Sequence, residues 1–206
     1  YTFGDFIRIG LGDVKRDEII KDVDKNATLT QTQLKLNKLG ALFLFTSRGI
    51  TMIHSGQEFA RSKVLPLTNQ NDPHRGMIDH NTYDKDNEVN YINYNHAKMN
   101  QNLWDYYKGL IELRKEIRSF RRAEYDELKF ISVHDNDFAL GYELIHEDED
   151  FVVLFNAHPL KEVVCELPKG KWEVLVNSDK AGIKSIESLS GIITIPTSSG
   201  FVLKKK

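Results

Sequence analysis

Apolar residues recur at helical spacing in two stretches before about residue 120 and at alternating spacing after about residue 125. Leu34, Leu39, Leu42 and Phe43 fall on overlapping faces of a helix predicted over 32–47. Thr30 and Gln33 have capping-box spacing ahead of it, and Gly49 supplies a C-terminal stop. Apolar side chains crowd its later turns, 41–45, so it is expected to be covered on more than one side. Ile50-Thr51-Met52-Ile53 then reads as a short buried strand, and a helix feeding a strand through one glycine is half of a βαβ unit. A second helix is predicted over 96–117 with Asn95 as its cap; Leu103, Tyr107, Leu110, Leu113 and Ile117 form its apolar face. Trp104 and Tyr106 flank that stripe, where packing is favoured over sugar stacking.

Beyond residue 125 the pattern predicts strands over 129–133, 138–145, 151–156, 162–167, 172–176, 191–195 and 200–203. Turn residues separate them at 135–137, 146–150, 168–170 and 198–200. About seven short strands at this spacing make an antiparallel sandwich. Trp172 and Cys165 both sit in alternating runs and are expected in its core. The terminal Lys204-Lys205-Lys206 reads as a solvated tail.

Composition narrows the functional classes. The 206 residues carry 28 Lys+Arg against 30 Asp+Glu, a net charge of −2. That balance gives no broad electrostatic footprint for nucleic acid. A single cysteine excludes an internal disulfide, and no apolar run is long enough for a membrane span. The opening Tyr1-Thr2-Phe3-Gly4-Asp5 reads as the start of a segment cut from something longer.

Between residue 53 and the second helix lie some forty residues with little periodicity, longer than compact domains usually tolerate without a function. Gln57, Glu58, Arg61, Asp72, Asp79, Asn81, Asp86 and Asn90 suit a polyhydroxylated ligand, because amides, carboxylates and guanidinium groups pair with vicinal hydroxyls. Many such residues in loops instead bond their own backbone. Incomplete motifs point away from other chemistry. Asp84, Asp86 and Glu88 lack the glycine and the last acidic residue of a calcium loop. His54-Ser55-Gly56-Gln57-Glu58 matches neither a zinc motif nor a nucleophile elbow, and Gly10-Leu11-Gly12 lacks the third glycine of a dinucleotide fingerprint. No cofactor is implied.

Residues 34–63, through Gly49-Ile50-Thr51-Met52-Ile53-His54-Ser55-Gly56-Gln57-Glu58-Phe59, resemble the seventh helix, eighth strand and following loop of the α-amylase superfamily (glycoside hydrolase family 13), nearest to pullulanase-type debranching enzymes. The Asp86-x-x-x-Asn90-Tyr91 stretch resembles their loop into the eighth helix, and Tyr106 to Lys115 resembles that helix. Thr51, where proline is common, and Gln57, where an acid is frequent, depart from the pattern. The resemblance implies the C-terminal end of a (β/α)8 TIM barrel over 1–122, followed by an antiparallel β-sandwich over 123–206. It implies an α-glucan as partner, with Glu58, Asn81, Tyr83, Asp86 and Asn90 shaping its subsites. Such enzymes are retaining, with two carboxyl groups about 5–5.5 Å apart; the resemblance places these upstream of residue 1, so the chain holds no catalytic residue. The competing readings are a non-catalytic carbohydrate-binding or interaction module, and a hydrolase that uses Glu58 and Asp86 itself.

A barrel end without its other strands leaves apolar surface and strand edges bare. The isolated chain is therefore expected to self-associate. Light scattering that reports a monomer with a cooperative melt contradicts that expectation.

Overall fold

Helices occupy the chain up to residue 122 and strands follow it, in the order that the change of periodicity predicts. The structure, a computed structural model, describes residues 1–133, 137–147 and 149–206. Two compact units are formed, one by residues 1–37 and 52–104, the other by 38–51 and 105–206.

In the first unit, α1 (Phe3–Gly10) begins at Thr2, whose hydroxyl accepts from the Asp5 amide. The sequence reading contains no helix there. Asp22 caps the short α2 (Val23–Ala27) in the same way. The N-terminal turns of α3 (Gln31–Thr46) carry the expected reciprocal cap: Gln33 N donates to Thr30 Oγ1 at 3.3 Å and Thr30 N to Gln33 Oε1 at 3.1 Å. At the centre of this unit Arg8 Nη1 donates to Asp5 Oδ1 at 3.3 Å, with both side chains almost wholly buried. Arg8 Nη2 also binds the carbonyls of Ala27 at 2.8 Å and Ala60 at 3.1 Å.

The single helix expected over 96–117 is two helices, α4 (Tyr94–Met99) and α5 (Gln101–Glu116), and its cap is Asn93 rather than Asn95. Asn100 sits at the break. Its buried amide accepts from Leu29 N at 3.1 Å and donates to the carbonyls of Ala27 at 2.8 Å and Phe59 at 2.9 Å. Three backbone groups satisfied by one side chain outweigh the lost helical continuity, since each would otherwise be buried unpaired. Trp104 stacks on Phe59, ring centroids 5.7 Å apart, which is the packing role expected of it.

The strand expected over 50–53 does not form. Ile50 is 102% and Met52 85% exposed. Strand pairing among the described residues is antiparallel throughout, so an extended segment of parallel-sheet type has no neighbour to pair with.

The second unit combines the helical residues of 38–51 and 105–122 with strands that are antiparallel, as expected. Strands β1 (Leu128–Ile131), β2 (Ala139–His146), β3 (Glu149–Asn156), β4 (Val163–Glu166), β5 (Trp172–Val176), β6 (Glu187–Leu189), β7 (Ile192–Ile195) and β8 (Ser199–Lys205) form two sheets. One has the order β1-β2-β3-β8-β5-β6 and the other is β4-β7. The sequence reading omits β6, whose three residues carry too little alternation to register. Val152, Leu154, Cys165, Trp172, Ile195 and Leu203 meet in the core between the sheets, as expected for Trp172 and Cys165. The other face of β3 meets helices: Phe155 lies edge-on to Phe43 and Phe151 packs on Phe120. Covering on both faces explains why 151–155 is an unbroken apolar run. Gly200 is required by close approach, since a Cβ there would lie 2.3 Å from the Leu154 carbonyl oxygen.

Lys204 and Lys205 are not a tail: they end β8 and pair with Glu149 and Asp150, each at 2.7 Å. Asp135, Asn136 and Asp148, parts of two expected turns, lie outside the described residues. Among the described residues no helix is long and apolar enough to cross a membrane.

Breaking a buried pair by removing one partner leaves an uncompensated buried charge. Arg8→Met is therefore expected to destabilise the protein by about 3–5 kcal/mol. Urea denaturation checks this; a loss within about 0.5 kcal/mol, as for an exposed substitution, contradicts it.

Candidate functional site

The long loop is built outward from the buried pair. Gly56 (φ 91°) and Ala60 (φ 55°), both left-handed, bracket a 3-10 turn over Gln57–Phe59. A Cβ on Gly56 would lie 2.7 Å from the Arg61 side chain, so that position requires glycine. Arg61 crosses beneath the loop and donates to the carbonyls of Ser55 at 3.3 Å, Val89 at 3.1 Å and Tyr91 at 3.0 Å. Burial lowers its pKa against the pull of Asp5. The free oxygen of Asp5 accepts from Lys63 N at 2.9 Å. Lys63 then begins a short antiparallel ladder, in which Asp79 N donates to Lys63 O at 2.9 Å and Val64 bridges Ile78.

A polar cleft of about 410 Å³ opens on this ladder, lined in part by His54, Lys63, Asn81, Tyr83 and Asn90. Lys63 Nζ donates to Thr82 Oγ1 at 2.6 Å and to Asn90 Oδ1 at 2.9 Å. Asn90 closes the 82–90 turn by donating to the carbonyls of Thr82 and Lys85. Behind it Lys85 bridges Asp72 and Asp79. Burial, then the nearby Arg61, pushes the Lys63 pKa down. Partial burial and the charges of Lys63 and Arg61 hold His54 below its ordinary range.

Three of the five expected ligand residues are brought together here: Asn81, Tyr83 and Asn90. Tyr83 is 85% exposed and Asn81 stands free at the rim, whereas the amide of Asn90 is committed to the loop. Glu58 lies on the 3-10 turn, where it accepts from Gly56 N at 3.0 Å, and does not line the cleft. Asp86 is exposed beside a separate shallow depression with Tyr91. Gln57, Asp72 and Asp79 also bond loop backbone, the ordinary role of such residues in turns. The sequence reading missed Lys63, Thr82 and His54. A lysine in a polar loop carries no signal of burial, and only the ladder brings it against Thr82 and Asn90.

No family model matches the chain. Pullulanase A of Streptococcus pneumoniae (strain D39) is 26% identical over 227 residues, an alignment covering 88% of this chain and 18% of that protein. The chain thus spans less than a fifth of that relative's length. A pullulanase from Anoxybacillus sp. LM18-11, solved in complex with maltotetraose, superposes with a TM-score of 0.68 at 26% identity, covering 88% of this chain and 25% of that one. The catalytic module of the glycogen-degrading pneumococcal virulence factor SpuA shares the fold, with a TM-score of 0.75 at 23% identity over 100% of this chain and 34% of that one. The resemblance read from residues 34–63 therefore holds, and this chain is a homologue of pullulanases over most of its length.

The Asp72–Lys85–Asp79 bridge makes the loop pH-sensitive. Asp72 is held below 3.8 by the Lys85 hydrogen bond and the His74 amide. Burial works to raise Asp79, but the bonds from Lys85 and the Asn81 amide outweigh it and lower its pKa. Lys85 is desolvated yet raised above 10.5 by both carboxylates. Lowered carboxylates stabilise the folded loop above 3.8 and lose that stabilisation as pH falls through their folded values; the raised amine stabilises below 10.5 and loses it as pH rises. Melting curves from neutral to acid pH are expected to fall more steeply in the wild type than in Lys85→Met. Parallel curves contradict this.

Proposed function

We propose, for this homologue of pullulanases, that the chain is the C-terminal segment of a retaining α-amylase-superfamily glycosidase that cleaves α-glucans. In this reading residues 1–122 are the closing part of a (β/α)8 barrel and 123–206 its antiparallel sandwich. The bare Ile50 and Met52 support it: they are apolar residues where a barrel strand is expected, and in this reading upstream strands of the barrel cover them. The same exposure supports self-association of the isolated chain. The catalytic carboxylates lie upstream of Tyr1, so the chain shapes glucan subsites and performs no hydrolysis. Binding alone lowers no barrier unless the transition state is held more tightly than the substrate.

The observation that carries the reading is the rim of the cleft, where the exposed ring of Tyr83 and the amide of Asn81 adjoin a floor of fixed hydrogen-bonding groups. An aromatic face packs on the C–H face of a sugar while polar groups meet its hydroxyls.

Isothermal titration of the 206-residue chain with maltotetraose is expected to show binding that Tyr83→Ala weakens by about tenfold, about 1.4 kcal/mol, without lowering the melting temperature. Asn90→Ala is expected to act mainly on melting temperature, since its amide supports the loop. No hydrolysis of pullulan or starch is expected. Absence of binding, or hydrolysis that Glu58→Gln abolishes, overturns the reading.

A further inference from the structure

Lys63 is the one lysine on the cleft wall, and its hydrogen bonds are unusual for a partly buried ammonium. Its two acceptors, Thr82 Oγ1 and Asn90 Oδ1, are both uncharged. They are also bonded to each other, the Thr82 hydroxyl donating to Asn90 Oδ1 at 2.9 Å, so they sit side by side on one flank of the ammonium. An ammonium carries three donors. Two are used on that flank, and among the described residues the third has no protein acceptor. Lys63 lines the open cleft with Asn81 and Tyr83, which is where the remaining N–H is available. No carboxylate lies within ion-pair distance of it among the described residues. Its backbone is equally fixed, with N on Asp5 and O on the Asp79 amide.

Resting on the glucan-binding reading above, we propose that Lys63 is the cleft's central ligand-contacting and positioning residue: it holds the turn over residues 82–90 by two neutral acceptors and gives its third N–H to a sugar hydroxyl. The two roles are linked. A carboxylate partner would draw the ammonium into an ion pair and reduce its value as a hydroxyl donor. Neutral acceptors hold it in place and leave the charge on the remaining N–H, where a charge-assisted bond to a hydroxyl oxygen forms. The pairing also sets the position of Asn81 and Tyr83, which flank Thr82 in sequence.

Lys63→Met and Thr82→Val separate contact from positioning. Maltotetraose titration and amide hydrogen exchange of residues 81–83 are measured on each 206-residue variant. Lys63→Met is expected to weaken binding by more than about tenfold and to speed exchange in the ligand-free chain. Thr82→Val loosens the turn but keeps the ammonium, so it is expected to speed exchange with a smaller loss of binding. Equal losses in the two variants overturn the contact role. Unchanged exchange in Lys63→Met overturns the positioning role, and unchanged affinity overturns the contact role. Absence of binding by the wild type overturns the glucan reading and the contact role with it, while exchange in the free chain still decides the positioning role.

Discussion

The loop-bearing unit depends on one buried ion pair. Asp5 and Arg8 sit one turn apart on α1 with their charged groups out of water, and each spends its remaining hydrogen-bonding capacity on a different part of the backbone. Arg8 takes the carbonyls that end α2 and the 3-10 turn, at Ala27 and Ala60. Asp5 takes the amide of Lys63. Such a pair is a poor source of net stability, since desolvation cancels much of the attraction. Its effect is geometric. Ala60 adopts a left-handed conformation that a non-glycine residue does not favour, and the bond from Arg8 to its carbonyl, with Gly4 packed close against it, holds it there.

From that anchor the cleft is assembled by donors that bridge backbone carbonyls rather than by apolar packing. Arg61 ties Ser55, Val89 and Tyr91 together, Asn100 ties Ala27, Leu29 and Phe59, and Asn90 ties Thr82 and Lys85. Nearly forty residues with little secondary structure can hold one shape only if their buried polar groups are satisfied in this way. The sandwich unit solves the opposite problem by ordinary means: alternating strands close one core, and β3 is covered on its second face by aromatic contacts.

Legibility in the sequence follows this difference. The cap of α3, seven of the eight strands and the burial of Trp172 and Cys165 are local or periodic features, so pattern alone finds them. The break at Asn100 is invisible because its cause lies some seventy residues away, at Ala27 and Leu29. The strand expected over 50–53 has the right composition but no partner among the described residues, and composition cannot supply one. At the cleft, three of the residues singled out by type, Asn81, Tyr83 and Asn90, come together, while Glu58 and Asp86 lie apart from them, since type says nothing about placement or about which polar groups are already committed. Lys63 was missed for the converse reason: its surroundings, not its identity, distinguish it.

What a ligand meets in the cleft is therefore the remainder after the loop's own demands are met. The carboxylates of Asp5 and Asp79 and the amide of Asn90 are turned inward on backbone and lysines. Those are the groups that would repel an anion or chelate a cation, and the fold has used them. The exposed ring of Tyr83, the Asn81 amide and one N–H of Lys63 are left at the surface. A cation entering the cleft would meet the open N–H of Lys63 and would lose water without gaining an opposite charge. A neutral molecule with apolar faces and many hydroxyls loses less and pairs more, and this is the chemistry on which the proposed glucan reading rests.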